Sequence, residues 1–156
     1  MFSIVVIYND KEVFENVLLK SLKSQSVKYE LIAINNTEGK YTSAAKALNY
    51  GGKQATGKYI MFVHQDVELD TSTWLEDVEY ILNAIPDIGI AGAVGMSENG
   101  KNNRERGRGF IDNSGEIWLW SNQVKKPEKV QTIDECLLIV PKFVFDIYLK
   151  FDEKTF

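Results

Sequence analysis

The sequence is short of several things, and each shortage narrows what the chain can be. It holds a single cysteine among its 156 residues, so no disulfide can close within it. A lone thiol suits a reducing compartment and predicts a cytoplasmic protein. That residue, Cys136, opens the apolar run Cys136-Leu137-Leu138-Ile139-Val140 and reads as a buried core thiol. No apolar run approaches the ~20 residues needed to span a bilayer. Met1 to Tyr8 is apolar but has no basic leader and no small-residue cleavage site, so it reads as a first strand rather than a signal peptide. There is no basic excess either: 18 basic against 22 acidic side chains give a net charge of −4. A chain of that balance has no general attraction for nucleic acid or an anionic membrane. The first strand is followed by neither G-x-G-x-x-G nor G-x-x-x-x-G-K-[ST], so the usual dinucleotide and P-loop fingerprints are missing.

What is present is an ordinary soluble composition, 44% apolar and 26% charged, in a length that fits one domain. Ser3 to Tyr8 is a β-branched run without polar alternation, as a central parallel strand should be. Asn9 or Asp10 can cap the helix that follows, where Val13, Phe14, Val17, Leu18 and Leu22 fall at helical spacing. Tyr29 to Ile34 is a second strand, and Ser43 to Ala55 an alanine-rich helix stopped by Gly57. Tyr59 to Val63 is a third strand, followed by a helix carrying Trp74, Leu75, Val78, Ile81 and Leu82. Ile88 to Val94 is a fourth. Strands alternating with helices in this way imply right-handed βαβ crossovers and an α/β fold with a largely parallel sheet. Beyond Met96 the pattern changes. Ser97 to Arg108 reads as a mobile polar loop, Gly109 to Trp120 as a hairpin, and Thr132 to Val140 as a strand. Pro141 opens a last short helix.

In an open α/β sheet, ligands bind beyond the carboxyl ends of the strands. Three polar clusters stand at such ends: Tyr8-Asn9-Asp10, Asn35-Asn36-Thr37 and His64-Gln65-Asp66. Each alone is a common turn-former, but three in succession point to a shared crevice. Asp66, with Glu68 and Asp70 nearby, is the best candidate to hold Mg²⁺ or Mn²⁺, which take one or two carboxylates plus phosphate oxygens and water. His64, the only histidine, is a ligand candidate or a structural residue at a strand end. Lys46, Lys53, Arg104, Arg106 and Arg108 are candidates to meet a diphosphate, or solvated surface. Trp118 and Trp120 share one face of the hairpin, either packing on the sheet or forming a platform for a sugar ring.

The ordered series of these segments resembles glycosyltransferase family 2, whose fold is GT-A. Ser3-Ile4-Val5-Val6-Ile7-Tyr8-Asn9 is similar to its opening strand, and Leu31 to Thr37 to its second. Ala44 to Gly51, then Ala55-Thr56-Gly57-Lys58-Tyr59-Ile60-Met61-Phe62, resembles its A-x-N-x-G … A-x-G stretch. His64-Gln65-Asp66, Val130 to Leu138 and Phe151-Asp152-Glu153 are closer to a branch typified by the streptomycin-biosynthesis glycosyltransferase-like proteins, with HQD in place of D-x-D. The resemblance implies one three-layer domain over 1–156, with a nucleotide-sugar-binding half at 1–96 and an acceptor-side half at 97–156. It implies an inverting, metal-assisted transfer of sugar from a nucleotide-diphosphate donor to a hydroxyl acceptor. Tyr8, Asn9, Asn35, Asn36, Lys46, Asn49, His64 and Gln65 are then expected on the donor side, and Asp66 on the metal. Asn35 stands where the family usually has a base-reading aspartate, and His64 where it has the first aspartate of D-x-D. The family's general base usually follows the F-D-E stretch. The sequence ends at Phe156, so that segment is expected to be missing, and Asp134 and Glu135 are the internal candidates. The competing expectations are a non-catalytic nucleotide-sugar-binding module and a nucleotidyltransferase, although the latter normally brings a glycine- and lysine-rich loop that Tyr8-Asn9-Asp10-Lys11 does not supply.

Overall fold

The computed structural model describes residues 1–113, 116–119 and 124–154, and of 110–113 and 116–119 the backbone alone. The chain runs β1 (Phe2–Tyr8), α1 (Lys11–Asn16), α2 (Leu18–Lys23), β2 (Tyr29–Asn35), α3 (Ala44–Gln54), β3 (Tyr59–Val63) and α4 (Trp74–Ala84). There follow β4 (Ala91–Gly92), β5 (Gly95–Met96), α5 (Asn103–Arg106), β6 (Gly107–Arg108), β7 (Phe110–Asn113), β8 (Glu116–Leu119), β9 (Thr132–Ile133), β10 (Leu137–Pro141) and α6 (Lys142–Ile147).

The central sheet has the order β2-β1-β3-β10-β4. β1 pairs in parallel with β2 and β3, whereas β10 is antiparallel to both β3 and β4. β4 therefore runs in the direction of β1 to β3, and only β10 opposes them. Side chains alternate between two cores, as strand geometry requires. Phe2, Ile4 and Val6 of β1 join Phe14, Leu18, Leu22, Leu75 and Leu82 on the face covered by α1, α2 and α4. Val5 joins Ile60, Phe62, Ala47 and Phe145 on the face covered by α3 and α6. Helices on both faces of one mostly parallel sheet make the expected three-layer α/β/α fold. The small residues of α3 have a packing reason: a Cβ on Gly51 would come within 2.4 Å of Val5 Cγ1, and one on Gly52 within 2.3 Å of Phe145 Cζ.

Four local expectations need correction. The first helix is divided at Val17, whose backbone leaves the helical region at φ −109, ψ −83. The fourth strand is not continuous over Ile88 to Val94, and neither is the strand expected over Thr132 to Val140. Each changes sheets part-way. β4 and β10 belong to the central sheet, while β5 and β9 pair in a second sheet of order β6-β5-β9. The two crossings are tied where they meet, the N–H of Asp134 donating to Val94 O at 2.9 Å. Finally, the polar stretch from Ser97 to Arg108 is ordered by α5 and β6 and by its arginines. Arg106 donates to Ser97 O and Gln131 Oε1, and Arg108 to Glu128 Oε2 and three backbone carbonyls. The hairpin is present as the antiparallel pair β7 and β8. The expectation for Trp118 and Trp120 lies outside the described side chains.

Candidate functional site

The polar clusters at the ends of β1, β2 and β3 come together because these strands are parallel neighbours. The N–H of Asn36 donates to Tyr8 O at 2.8 Å, extending the β1–β2 ladder past the last strand residues. Tyr8 stacks on Phe14 with ring centroids 4.6 Å apart and planes 8° from parallel. Between β1 and β3 the tie is a side chain. Gln65 Oε1 accepts from the N–H groups of Asn9 and Asp10, each at 3.0 Å, and Gln65 Nε2 donates to Asn9 Oδ1 at 2.7 Å. Asp10 itself caps α1, accepting from the N–H of Val13.

β10 brings a fourth segment to this end of the sheet. Because it is antiparallel to β3, its first residue, Leu137, lies opposite the last residue of β3, Val63. The ladder continues one step further, His64 N–H donating to Cys136 O at 3.0 Å. The turn Asp134-Glu135-Cys136 thus stands beside His64-Gln65-Asp66. His64, Asp66, Asp134 and Glu135 are all exposed there, and Gln65 is half-buried. Asp134 Oδ1 accepts the N–H of Cys136 at 2.9 Å.

Cys136 is half-buried rather than a core residue, and it precedes β10 instead of opening it. Burial pushes its thiol pKa up to about 12, and the Asp134 carboxylate, with a smaller push from Asp66, adds to this. Both carboxylates therefore act on one thiol, which stays protonated and unreactive at neutral pH.

The remaining expected site residues do different things. Asn35 is exposed, and its Oδ1 accepts from the N–H and hydroxyl of Thr37 at 2.9 and 2.8 Å. Asn36 holds the following loop, accepting from Tyr41 N–H and donating to Tyr41 O. Lys46 is exposed on the first turn of α3, where Ser43 caps its N–H. Asn49 is buried at 3% exposure and fully engaged with a distant segment. Its Nδ2 donates to Phe151 O and Glu153 Oε1, and its Oδ1 accepts from Phe151 N–H. Of the loop arginines, Arg106 and Arg108 brace the second sheet and are committed to the protein's own acceptors. The Gln65 clasp was not legible in the sequence, because nothing in the spacing distinguishes a glutamine turned inward from one facing a ligand.

Among the described residues no group of three or more His, Cys, Asp and Glu side chains could enclose a metal ion. Asp66 therefore fits a cation that draws most of its ligands from phosphate oxygens and water, a coordination Mg²⁺ readily accepts.

The model of the family described as "Glycosyltransferase like family" matches residues 3–156. The chain belongs to this glycosyltransferase-like family. No curated protein matches it in sequence. Among solved structures, S. aureus TarS 1-349 is 20% identical with a TM-score of 0.49, over 65% of this chain and 37% of that one. The crystal structure of S. aureus TarS 1-349 in complex with UDP-GlcNAc is 19% identical with a TM-score of 0.46, over 66% of this chain and 37% of that one. The glycosyltransferase-like chain thus spans little more than a third of the length of these structures. No described helix is long and apolar enough to cross a membrane.

Proposed function

We propose that this glycosyltransferase-like domain binds a nucleotide-diphosphate sugar at the carboxyl ends of β1, β2 and β3 and takes part in its inverting transfer to a hydroxyl acceptor. The observation that carries the reading is the convergence of Asn9, Asn35, His64, Asp66 and the Asp134–Cys136 turn on one edge of the sheet. In this reading Tyr8, Asn9 and Asn35 face the nucleoside, with Lys46 and His64 toward the diphosphate. Gln65, Asn36 and Asn49 support the crevice through the contacts described above rather than touching the donor. Asp66 holds Mn²⁺ or Mg²⁺, which when bound neutralises charge on the departing diphosphate. Asp134 or Glu135 takes the proton of the acceptor hydroxyl as its oxygen bonds the anomeric carbon, and the electron pair of the broken C–O bond leaves with the nucleotide. We assign the chain to the HQD-bearing branch on the strength of His64-Gln65-Asp66, and to the cytoplasm on its single thiol.

A second reading, a nucleotide-sugar-binding module without turnover, is favoured by His64 standing in place of the first aspartate of D-x-D. Calorimetric titration with nucleoside diphosphates, followed by a transfer assay with the matching nucleotide sugars, separates the two. Binding with release of free nucleotide supports transfer. Binding without release, across donors and acceptors, supports the module. No binding in either metal would remove both.

A further inference from the structure

β2 lies at one edge of the central sheet, and among the described residues only β1 pairs with it. Two bonds show which of its backbone groups are used. The N–H of Asn36 donates to Tyr8 O, on the β2 side of β1, and the N–H of Lys58 donates to Met1 O, on the β3 side. Backbone groups of successive strand residues point to alternate sides, so the N–H and C=O of Ile32 and Ile34 face β1. Those of Leu31, Ala33 and Asn35 face away, and no described residue bonds to the backbone of Leu31 or Ala33 on that outer side. Ala33 is exposed there. The apolar side chains are also incompletely covered: Tyr29 and Leu31 pack partly against one core and Ile32 partly against the other. The devices that usually keep such an edge solitary are missing. Tyr29–Asn35 contains neither proline nor lysine, and its register on β1 is unbroken by a bulge. Its one charged residue, Glu30, is turned into the sheet, accepting from Ser3 Oγ and from Thr56.

We propose that β2 is an interaction edge for a second copy of this chain, the two β2 strands pairing antiparallel about a two-fold axis at Ile32. Such pairing is independent of the nucleotide-binding reading. With Ile32 facing its own copy, Leu31 stands opposite the partner's Ala33, and the outward N–H and C=O groups answer one another in both directions. A two-fold axis brings the same patch of both copies together, so the contact closes at a dimer. Charge selects the same arrangement. Lys28 precedes the strand and Glu38 follows it, both exposed and without an ion pair among the described residues. Lys40, the next cation, lies over the Tyr41 ring, 5.6 Å from its centroid. Antiparallel pairing brings each Lys28 to the end at which the partner's Glu38 stands, whereas a parallel one would set like charge against like. Glu30 then meets the partner's Ile34 and not another carboxylate. Because the two copies run in opposite directions, their carboxyl ends point to opposite sides and neither crevice covers the other.

The test is the molar mass of the chain by sedimentation velocity over a range of concentrations. Wild type should rise from 17.7 kDa toward twice that value and stop there. Ala33→Pro removes only an outward N–H, a change that an edge strand tolerates. Its urea midpoint, read where the chain is monomeric, should match wild type. Its dimer affinity should fall by roughly thirtyfold, the worth of the two hydrogen bonds lost across the axis. Lys28→Glu and Glu38→Lys alter exposed side chains alone. Each should weaken the dimer by roughly a few-fold, and the double swap should restore it. If Ala33→Pro fails to fold, the charge swap decides the matter by itself. A mass of 17.7 kDa at every concentration overturns the inference, as does growth beyond two copies. A dimer indifferent to Ala33→Pro and to the charge swap would put the contact on another surface and overturn it equally.

Discussion

The two ends of the central strands use their polar residues in opposite ways. At the amino end, the hydroxyl of Ser3, which is fully buried, donates to Glu30 Oε2 at 2.5 Å and accepts from the N–H groups of Thr56 and Gly57. Glu30 also takes the N–H and hydroxyl of Thr56 at 2.8 and 3.0 Å. Donors and acceptors answer one another across β1, β2 and the approach to β3. At the carboxyl end, Asn9, Asn35, His64, Asp66, Asp134 and Glu135 are exposed, and the internal bonds there fix polarity and spacing instead of closing the edge. The polar groups at the amino end bond mainly to one another, whereas several at the carboxyl end stay exposed. The proposed function places the ligand at the carboxyl ends, where open α/β sheets commonly bind theirs.

Substitutions at the two ends should therefore separate stability from binding. The largest loss of stability is expected for Gly57→Ala. A Cβ there would stand 2.7 Å from Met1 O and 2.8 Å from Ser3 N and Oγ, mostly backbone that cannot step aside. We expect a cost of about 3 kcal/mol, read by urea unfolding, with nucleotide affinity of the folded fraction unchanged. Asn49→Asp comes next. It removes the donor to Phe151 O and sets a second carboxylate against Glu153, for about 2 kcal/mol. Glu30→Gln should cost about 1 kcal/mol, with a pH signature. Hydrogen bonds from Ser3 and from the Thr56 N–H hold the Glu30 carboxyl below its ordinary pKa. Its stabilisation is thus complete above the unfolded-state value of about 4.3 and fades as pH falls through the lower folded value. The gap between wild type and Glu30→Gln should close on acidification, and a constant gap would argue against the ionised carboxylate as the cause. The smallest effect on stability is expected at Asp66→Ala, which should leave the unfolding midpoint in place while abolishing the metal dependence of nucleotide binding. Loss of stability there would mean that the carboxyl end is structural after all.

Much of the fold was legible because it rests on local signals. The apolar runs of β1, broken only by Ser3, and of β3, and the small-residue pattern of α3, have one reading each, and the structure follows it closely. The split strands were not legible, because Ile88 to Val94 and Thr132 to Val140 keep their apolar character while the hydrogen-bonding partner changes from one sheet to the other. Only the register shows that. The site follows the same division. That strand-end residues would gather at one edge follows from parallel pairing, whereas the proximity of Asp134 to Asp66 depends on β10 running antiparallel. Asn49 illustrates the limit most sharply: its partners, Phe151 and Glu153, are more than a hundred residues away in sequence. Arg106 and Arg108, in a polar stretch that resembles an anion-binding loop, are held by carbonyls and by Glu128 that no local pattern announces.

In the proposed function the open carboxyl end binds the diphosphate of a nucleotide donor through a cation held by Asp66. Calorimetric titration of the wild-type chain and Asp66→Ala with CDP, UDP, GDP and dTDP, each with and without Mn²⁺, tests it most directly. At least one nucleotide should bind, more strongly with Mn²⁺ in the wild type and without that dependence in Asp66→Ala. Binding that ignores both the metal and the substitution, or no binding at all, would contradict it.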